Sequence, residues 1–315
     1  MASRANLRTG AALLLGLAAV ALAAPLLATD QPWLARGAHG LVSPAIGSLL
    51  GRRPSSRTAE TAVLRAPIPY SPGRVELEEI RKPPSTAHWL GTDGLGRDVA
   101  ARVVHGGRVS LTVGLLAALA ALCVGLPLGA VAGYRGGWTD AVISRIVEAV
   151  LCFPALLLAL VVLAMSPGWL AGLPDVLRIA LVLGVTGWIP VARYLRGEFL
   201  RIRGSDMVSA ARASGAGHGR LVVRHILPSA LAPVLVTAAF AVGAAVLMEA
   251  ALSFLGLGVR PPTPTWGGML NEGKTYVMSS WWLSLFPGIA LFLAVLGCNL
   301  LGEGIRDHLD PRTDR

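Results

Sequence analysis

The chain has 315 residues, of which 54% are hydrophobic, and a formal charge of +10 at neutral pH; a mean hydropathy of +0.61 points to a bilayer rather than water as solvent. Its basic residues fall between apolar runs instead of forming one stripe interleaved with aromatics, which argues against nucleic-acid binding. The cysteines, Cys123, Cys152 and Cys298, lie singly in separate apolar runs without CxxC spacing or a nearby histidine, so they imply neither a metal site nor a disulfide framework and read as small buried hydrophobes.

A hydrocarbon core about 30 Å thick takes about 20 mostly apolar residues of helix, because the backbone must satisfy its own hydrogen bonds there. Six windows qualify: Gly10 to Thr29, Val109 to Gly133, Ala141 to Met165, Val176 to Arg196, Leu231 to Phe254 and Trp282 to Gly302. Arg4 and Arg8 precede the first, and Ala21, Leu22 and Ala23 make the A-x-A pattern of a signal peptide. The apolar stretch nevertheless runs on through Leu26 and Leu27, so residues 1–30 read as a transmembrane anchor. Residues 31–108 follow as an extracytoplasmic insertion, Pro/Arg/Ser-rich from Arg52 to Pro84, expected to be a loop or a small irregular subdomain. Within it HWLGTDGLGRD, His88 to Asp98, is only superficially a phosphate loop. No strand precedes it, GxxxxGK[ST] is absent, and Asp93 and Asp98 lack EF-hand spacing, so its glycines read as turns leading into the second span.

In the second span Gly125, Gly129 and Gly133 recur every fourth residue, a face against which another helix backbone can approach closely. Pro25, Pro127, Pro154, Pro190 and Pro287 each remove a helix hydrogen bond and permit a kink. Arg145 and Glu148, at i, i+3 in the third span, are placed to neutralise one another. Arg178, Arg193 and Arg196 bound the fourth, from where their side chains can snorkel to the interface. Glu249, late in the fifth, has no such neighbour in sequence; it is expected to line a pathway near its outer end or to meet a partner on another helix. GVRPPTPTW, Gly258 to Trp266, favours a stiff polyproline segment, and Trp266, Trp281 and Trp282 suit the membrane interface.

Residues 197–230, between the fourth and fifth windows, carry the most pointed signal. Ser205 and Asp206 are N-cap candidates, MVSAARA has high helix propensity, and Gly215 and Gly217 stop it. Ala210 and Ala211 give this short helix a smooth surface, with Arg201, Arg203, Arg212, Arg220 and Arg224 around it, and Leu227 and Pro228 mark the return to the membrane. An interfacial helix lying on anionic lipid is the rival reading, although the apolar face is thin. Arg4, Arg8, Arg135, the seven arginines from Arg193 to Arg224, and Arg306, Arg312 and Arg315 all fall on the side of the N-terminus, whereas the short opposite loops hold Arg260 and Lys274 only. This asymmetry puts both termini and the 197–230 loop in the cytoplasm; the 31–108 segment is too long for the rule to apply.

SAARASGAGHGRLVVRHILPSAL resembles the EAA loop of ABC-transporter permeases: Ala210, Ala211, Gly215, Leu227 and Pro228 match the pattern, while Ser209 stands for its Glu and His225 for an Ile. GTDGLGRDVAARVVHGGRVSL, GWIPVARYLRGE, EAALSFLGLGVRPPTPTWGGML and FPGIALFLAVLGCNLLGEGIRDHLDPR are co-linear matches to the dipeptide, oligopeptide and nickel branch, its C-type permease in particular. The resemblance implies an all-α polytopic protein with six transmembrane helices, the type I ABC importer permease fold, over residues 109–304, with a cytoplasmic tail at 305–315. It implies a multi-pass protein of the inner cell membrane that carries peptides or, alternatively, nickel or another small solute, with no catalytic residue, metal or cofactor of its own. ATP and Mg would sit on two cytoplasmic ATPase subunits, a homologous permease would complete the pathway, and an extracytoplasmic binding protein would deliver substrate. Asp206, Ser209, Ala210, Ala211, Arg212, Gly215, Leu227 and Pro228 would form the coupling element. An intramembrane hydrolase is disfavoured by histidines lying outside the windows and by the absence of HExxH, and a secondary transporter by the lack of an inverted repeat.

Overall fold

The computed structural model describes residues 2–37, 40–49, 61–165 and 168–309. The first part of the Pro/Arg/Ser-rich run, residues 52–60, and residues 310–315 of the tail, including Arg312 and Arg315, lie outside the described residues.

Four of the six windows fall on long helices, α1 (Ala2–Leu27), α3 (Val99–Arg135), α11 (Leu227–Phe254) and α13 (Trp282–Leu309), the first window running two residues past the end of α1. The other two are broken. The third becomes α4 (Gly137–Leu151) and α5 (Ala155–Met165), bent by 86°, and the fourth becomes α7 (Asp175–Gly187) and α8 (Ile189–Arg203), bent by 43°. Pro154 immediately precedes α5 and Pro190 opens α8, and each lacks the N–H that a continuous helix would give to the carbonyl four residues back. Pro25, Pro127 and Pro287 are accommodated inside continuous helices. Short elements complete the order: α2 (Pro44–Leu49), α6 (Gly168–Ala171), α9 (Asp206–Ala213), α10 (His218–Arg220) and α12 (Trp266–Gly273). A three-stranded antiparallel sheet, order β2-β1-β3, is made by β1 (Leu34–Gly37), β2 (Gly40–Val42) and β3 (Thr61–Leu64). The insertion, expected to be a loop or a small irregular subdomain, thus includes a small sheet among its described residues. α3 starts ten residues before its apolar window, because Asp98 Oδ1 accepts the Ala101 N–H at 2.7 Å and caps the polar first turns that hydropathy passes over.

The chain forms two compact units, Met1–Leu14 with Val113–Glu249 and Ala294–Arg315, and Leu15–Thr112 with Ala250–Leu293. In the first, α3 lays its glycines against α8. A Cβ on Gly125 would stand 2.8 Å from the Trp188 carbonyl oxygen, and one on Gly133 would stand 2.5 Å from the Phe199 Cβ. Leu195, Phe199 and Ile202 of α8 form one apolar core with Val208, Leu221, Ile226, Ala230 and Val234. Arg178 does not snorkel: it is buried, and its Nη2 pairs with Asp175 Oδ1 at 2.7 Å. Arg145 and Glu148 pair at 2.7 Å on an exposed face. Cys298 is buried, but Cys123 and Cys152 are exposed on the chain's surface, so only one of the three cysteines is a core hydrophobe.

In the second unit Val99, Met269, Trp282 and Leu283 make a core. Trp266 and Trp282 are 2% and 5% exposed and donate their indole N–H groups to the carbonyls of Val103 and Thr92, at 2.9 and 3.1 Å. They are core residues whose one polar atom is satisfied, not interface anchors; Trp281, 50% exposed, is the only one of the three at the surface. GVRPPTPTW is not a polyproline rod either: the Thr263 N–H returns to the Arg260 carbonyl and closes a turn.

Candidate functional site

The 197–230 loop folds back on its own hydrophobic footing. α9 begins with Ser205 in the extended N-cap conformation, although the Ser205 hydroxyl makes no capping bond and is buried without a partner. Its C-terminus is a complete Schellman motif: the Ala216 N–H reaches the Ala211 carbonyl at 3.1 Å, and the Gly215 N–H reaches that of Arg212 at 3.0 Å. Gly215 sits at φ +82°, the left-handed conformation the motif demands. A turn of π-helix, Leu221–Ile226, then leads into α11, and the Leu227 N–H bonds the Val222 carbonyl. The wide turn immediately precedes Pro228, which has no N–H for the Arg224 carbonyl.

α9 has two faces. Val208 is fully buried and Ala211 half-buried against the core of α8 and the π-turn. Asp206, Met207, Ser209, Ala210, Arg212 and Ala213 are exposed, as are Gly215 and Pro228, while Leu227 is half-buried. The exposed face is small-residue and mixed polar, rigidly supported from beneath, which suits close docking of another protein more than immersion in lipid. Two anchors hidden from sequence fix this footing. Arg196 on α8 makes a two-pronged ion pair with Asp140 on α4, with Nη2 to Oδ2 at 2.7 Å, and Arg203 Nη1 donates to the Tyr134 carbonyl at 2.9 Å. Their partners lie 56 and 69 positions away, and no local spacing announces them.

A cavity of about 360 Å³ lies at the two helix breaks, lined among others by Ala117, Phe153, Pro190, Phe240 and Met248. Its two hydroxyls, on Thr186 and Thr237, are already donated to the carbonyls of Val182 and Pro233, so the lining is effectively apolar. Glu249 is fully buried, next in sequence to Met248, and is not among the residues lining this cavity.

The HWLGTDGLGRD segment folds in the second unit as a tight turn, with Gly91 and Gly96 at φ +78° and +72° and a bridge between Thr92 and Asp98. It supplies two members, Asp93 and Arg97, of a four-charge network completed by Arg102 and Glu272. Asp93 receives Arg97 Nε at 2.7 Å and also Arg102, and Glu272 on α12 receives Arg97 Nη2 at 2.8 Å and Arg102 Nη2 at 2.9 Å. His88 Nδ1 lies 2.9 Å from Asp98 Oδ2. Burial pushes the Asp98 carboxyl above the usual carboxylate range, against the pull of the Ala101 N–H and His88. The glycines do form turns, and the network they position has no local signal, because Glu272 lies 175 positions from Arg97.

Residues 125–315 match the family described as "Binding-protein-dependent transport system inner membrane component". The chain is 43% identical over 230 residues to the dipeptide transport system permease protein DppC of Alkalihalophilus pseudofirmus, covering 73% of each chain. It is 39% identical over 248 residues to DppC of Bacillus subtilis, covering 78% of this chain and 76% of that one. It is 38% identical over 237 residues to the glutathione transport system permease protein GsiD of Pectobacterium atrosepticum, covering 75% and 77%. In fold it is similar to the inward-facing MetNI methionine ABC transporter, with a TM-score of 0.55 at 20% identity over 66% of this chain and 96% of that one. The chain therefore belongs to the binding-protein-dependent transport system inner membrane component family: it is a multi-pass permease of an ABC transporter, whose ATP-hydrolysing subunits are separate proteins.

Proposed function

We propose that this permease imports short peptides as one half of a heterodimer with a related permease, with α9 seated in a groove of one of two cytoplasmic ATPase subunits. An extracytoplasmic binding protein delivers the substrate, and both termini face the cytoplasm. The observation that carries this reading is the geometry of α9, a short helix closed by a glycine cap and held from beneath, with its small-residue face exposed. When ATP closes the ATPase pair, a rigid helix of this kind passes the displacement to α8 and α11, between which it is inserted. Peptides are the favoured cargo because dipeptide and glutathione permeases are among the chain's relatives.

Two substitutions test the lever. Ala210→Cys in intact cells crosslinks to an ATPase subunit; absence of that product, with the cysteine shown reactive from the cytoplasm, removes the docking. A Cβ at Gly215 meets no atom within 4 Å, so strain there comes from the backbone alone. Gly215→Val is expected to leave the protein in the membrane while uptake falls about tenfold, the size expected for about 1–2 kcal/mol of left-handed strain. Gly215→Asn, which tolerates that conformation, keeps most of the uptake. Equal uptake in the valine and asparagine variants would argue against a shape-critical cap.

Glu249 would meet the pathway when α11 moves, since it is sealed off in the state described here. Glu249→Gln keeps its shape and removes its carboxyl group, so uptake falls without a fall in membrane abundance; unchanged uptake excludes it from the path.

A further inference from the structure

A second cavity, of about 840 Å³, opens beside α9 and is lined by Tyr134, Arg135, Arg203, Arg212, His218, Gly219, Val222 and Val223. It holds three arginines and no carboxylate. Asp140, whose carboxylate also feels the charge of Arg203, makes its ion pair with Arg196, and Glu198 makes its own with Arg201. Among the described residues none of the three arginines forms an ion pair. The wall is also pre-shaped. One Arg203 N–H holds the Tyr134 carbonyl at the end of α3, leaving the rest of its fork, and the Tyr134 hydroxyl is hydrogen-bonded to His218 Nδ1 at 2.7 Å. Such a pocket attracts a phosphate-bearing anion.

Its place at the ends of two candidate spans points to the source. Arg135 is the last residue of the candidate span Val99–Arg135, and Arg203 ends the bent pair of α7 and α8. Three residues past Arg135, Trp138 is 83% exposed, an indole of the kind that sits among headgroups. Val222 and the exposed Val223 give the cavity an apolar edge beside its charge. We infer that Arg135 and Arg203, at the ends of their helices and away from the docking face of α9, form a binding site for the phosphate of an anionic phospholipid headgroup, at the foot of the coupling helix. Basic pockets between spans recognise lipid in this way.

The test uses the transporter extracted with its associated subunits and reconstituted in nanodiscs of phosphatidylcholine and phosphatidylglycerol in equal amounts, with bound lipid counted by native mass spectrometry. The expected result is selective retention of phosphatidylglycerol, weakened about fivefold by Arg135→Gln, the share of one interfacial arginine, and largely kept by Arg135→Lys. Equal retention of the two lipids by the wild-type protein overturns the site whatever the variants do, as does unchanged selectivity in Arg135→Gln. If that variant instead sheds ATPase subunits while keeping its lipid, the arginines belong to a protein contact. If inorganic phosphate raises the thermal stability of the detergent-solubilised complex as much as phosphatidylglycerol does, the ligand is a soluble anion and the lipid assignment fails.

Discussion

Gly129→Leu is expected to abolish accumulation of the folded permease. A Cβ at this position would lie 2.5 Å from the Ala192 carbonyl oxygen and 3.0 Å from its Cα, both backbone atoms that cannot swing away. The helices would have to part, and α8 is also the floor under α9, through Leu195, Phe199 and Ile202. Overpacking alone costs about 1–3 kcal/mol where a core can adjust, and more where a backbone must shift, a large part of a typical stability margin. Gly197, on the same α8, supplies the control: a Cβ there meets nothing within 4 Å. Gly197→Ala should raise thermal stability slightly, by about 0.5–1 kcal/mol, through helix propensity. Membrane abundance of the folded protein reads the first, and thermal unfolding of the detergent-extracted protein reads the second and any Gly129→Leu protein that does accumulate. If Gly129→Leu tolerates heating as well as Gly197→Ala, the close approach of α3 and α8 is wrong.

What could be read from sequence was what local pattern determines. Membrane-length apolar runs located the long helices, and α9 lies where MVSAARA stands between Ser205 and Gly215. Windowed hydropathy averages over a proline, however, so the run Ala141 to Met165 looked like one span although the chain turns by 86° within it. Trp266 and Trp282 misled for a different reason. An indole is read as interfacial because its N–H needs a partner, and here the partners are carbonyls 163 and 190 positions away. The same non-locality hid Asp140 opposite Arg196 and Glu272 opposite Arg97. Spacing within one element shows which charges could pair along it, as with Arg145 and Glu148, but not which element the fold brings alongside.

Asp93→Asn should be the most damaging conservative change in the second unit. The carboxylate is 2% exposed and faces two arginines, Arg97 and Arg102, that are themselves 7% and 3% exposed. Asparagine retains an oxygen for the Leu95 and Arg97 backbone N–H groups, which Asp93 Oδ1 accepts at 2.8 and 3.0 Å, so the turn itself can survive. What is lost is the charge, leaving Glu272 alone to balance two desolvated guanidinium groups. Removing one partner from a buried ionic cluster costs about 3–5 kcal/mol, because the remaining charge is left uncompensated. Glu272→Gln removes the same formal charge from a side chain 37% exposed, where water can take over part of its role, and should cost about 1 kcal/mol. The order of the two effects carries the physics: thermal unfolding of the purified complex should place Asp93→Asn well below Glu272→Gln. The reverse order would mean that α12 is held by Glu272 and that Asp93 serves only its own turn.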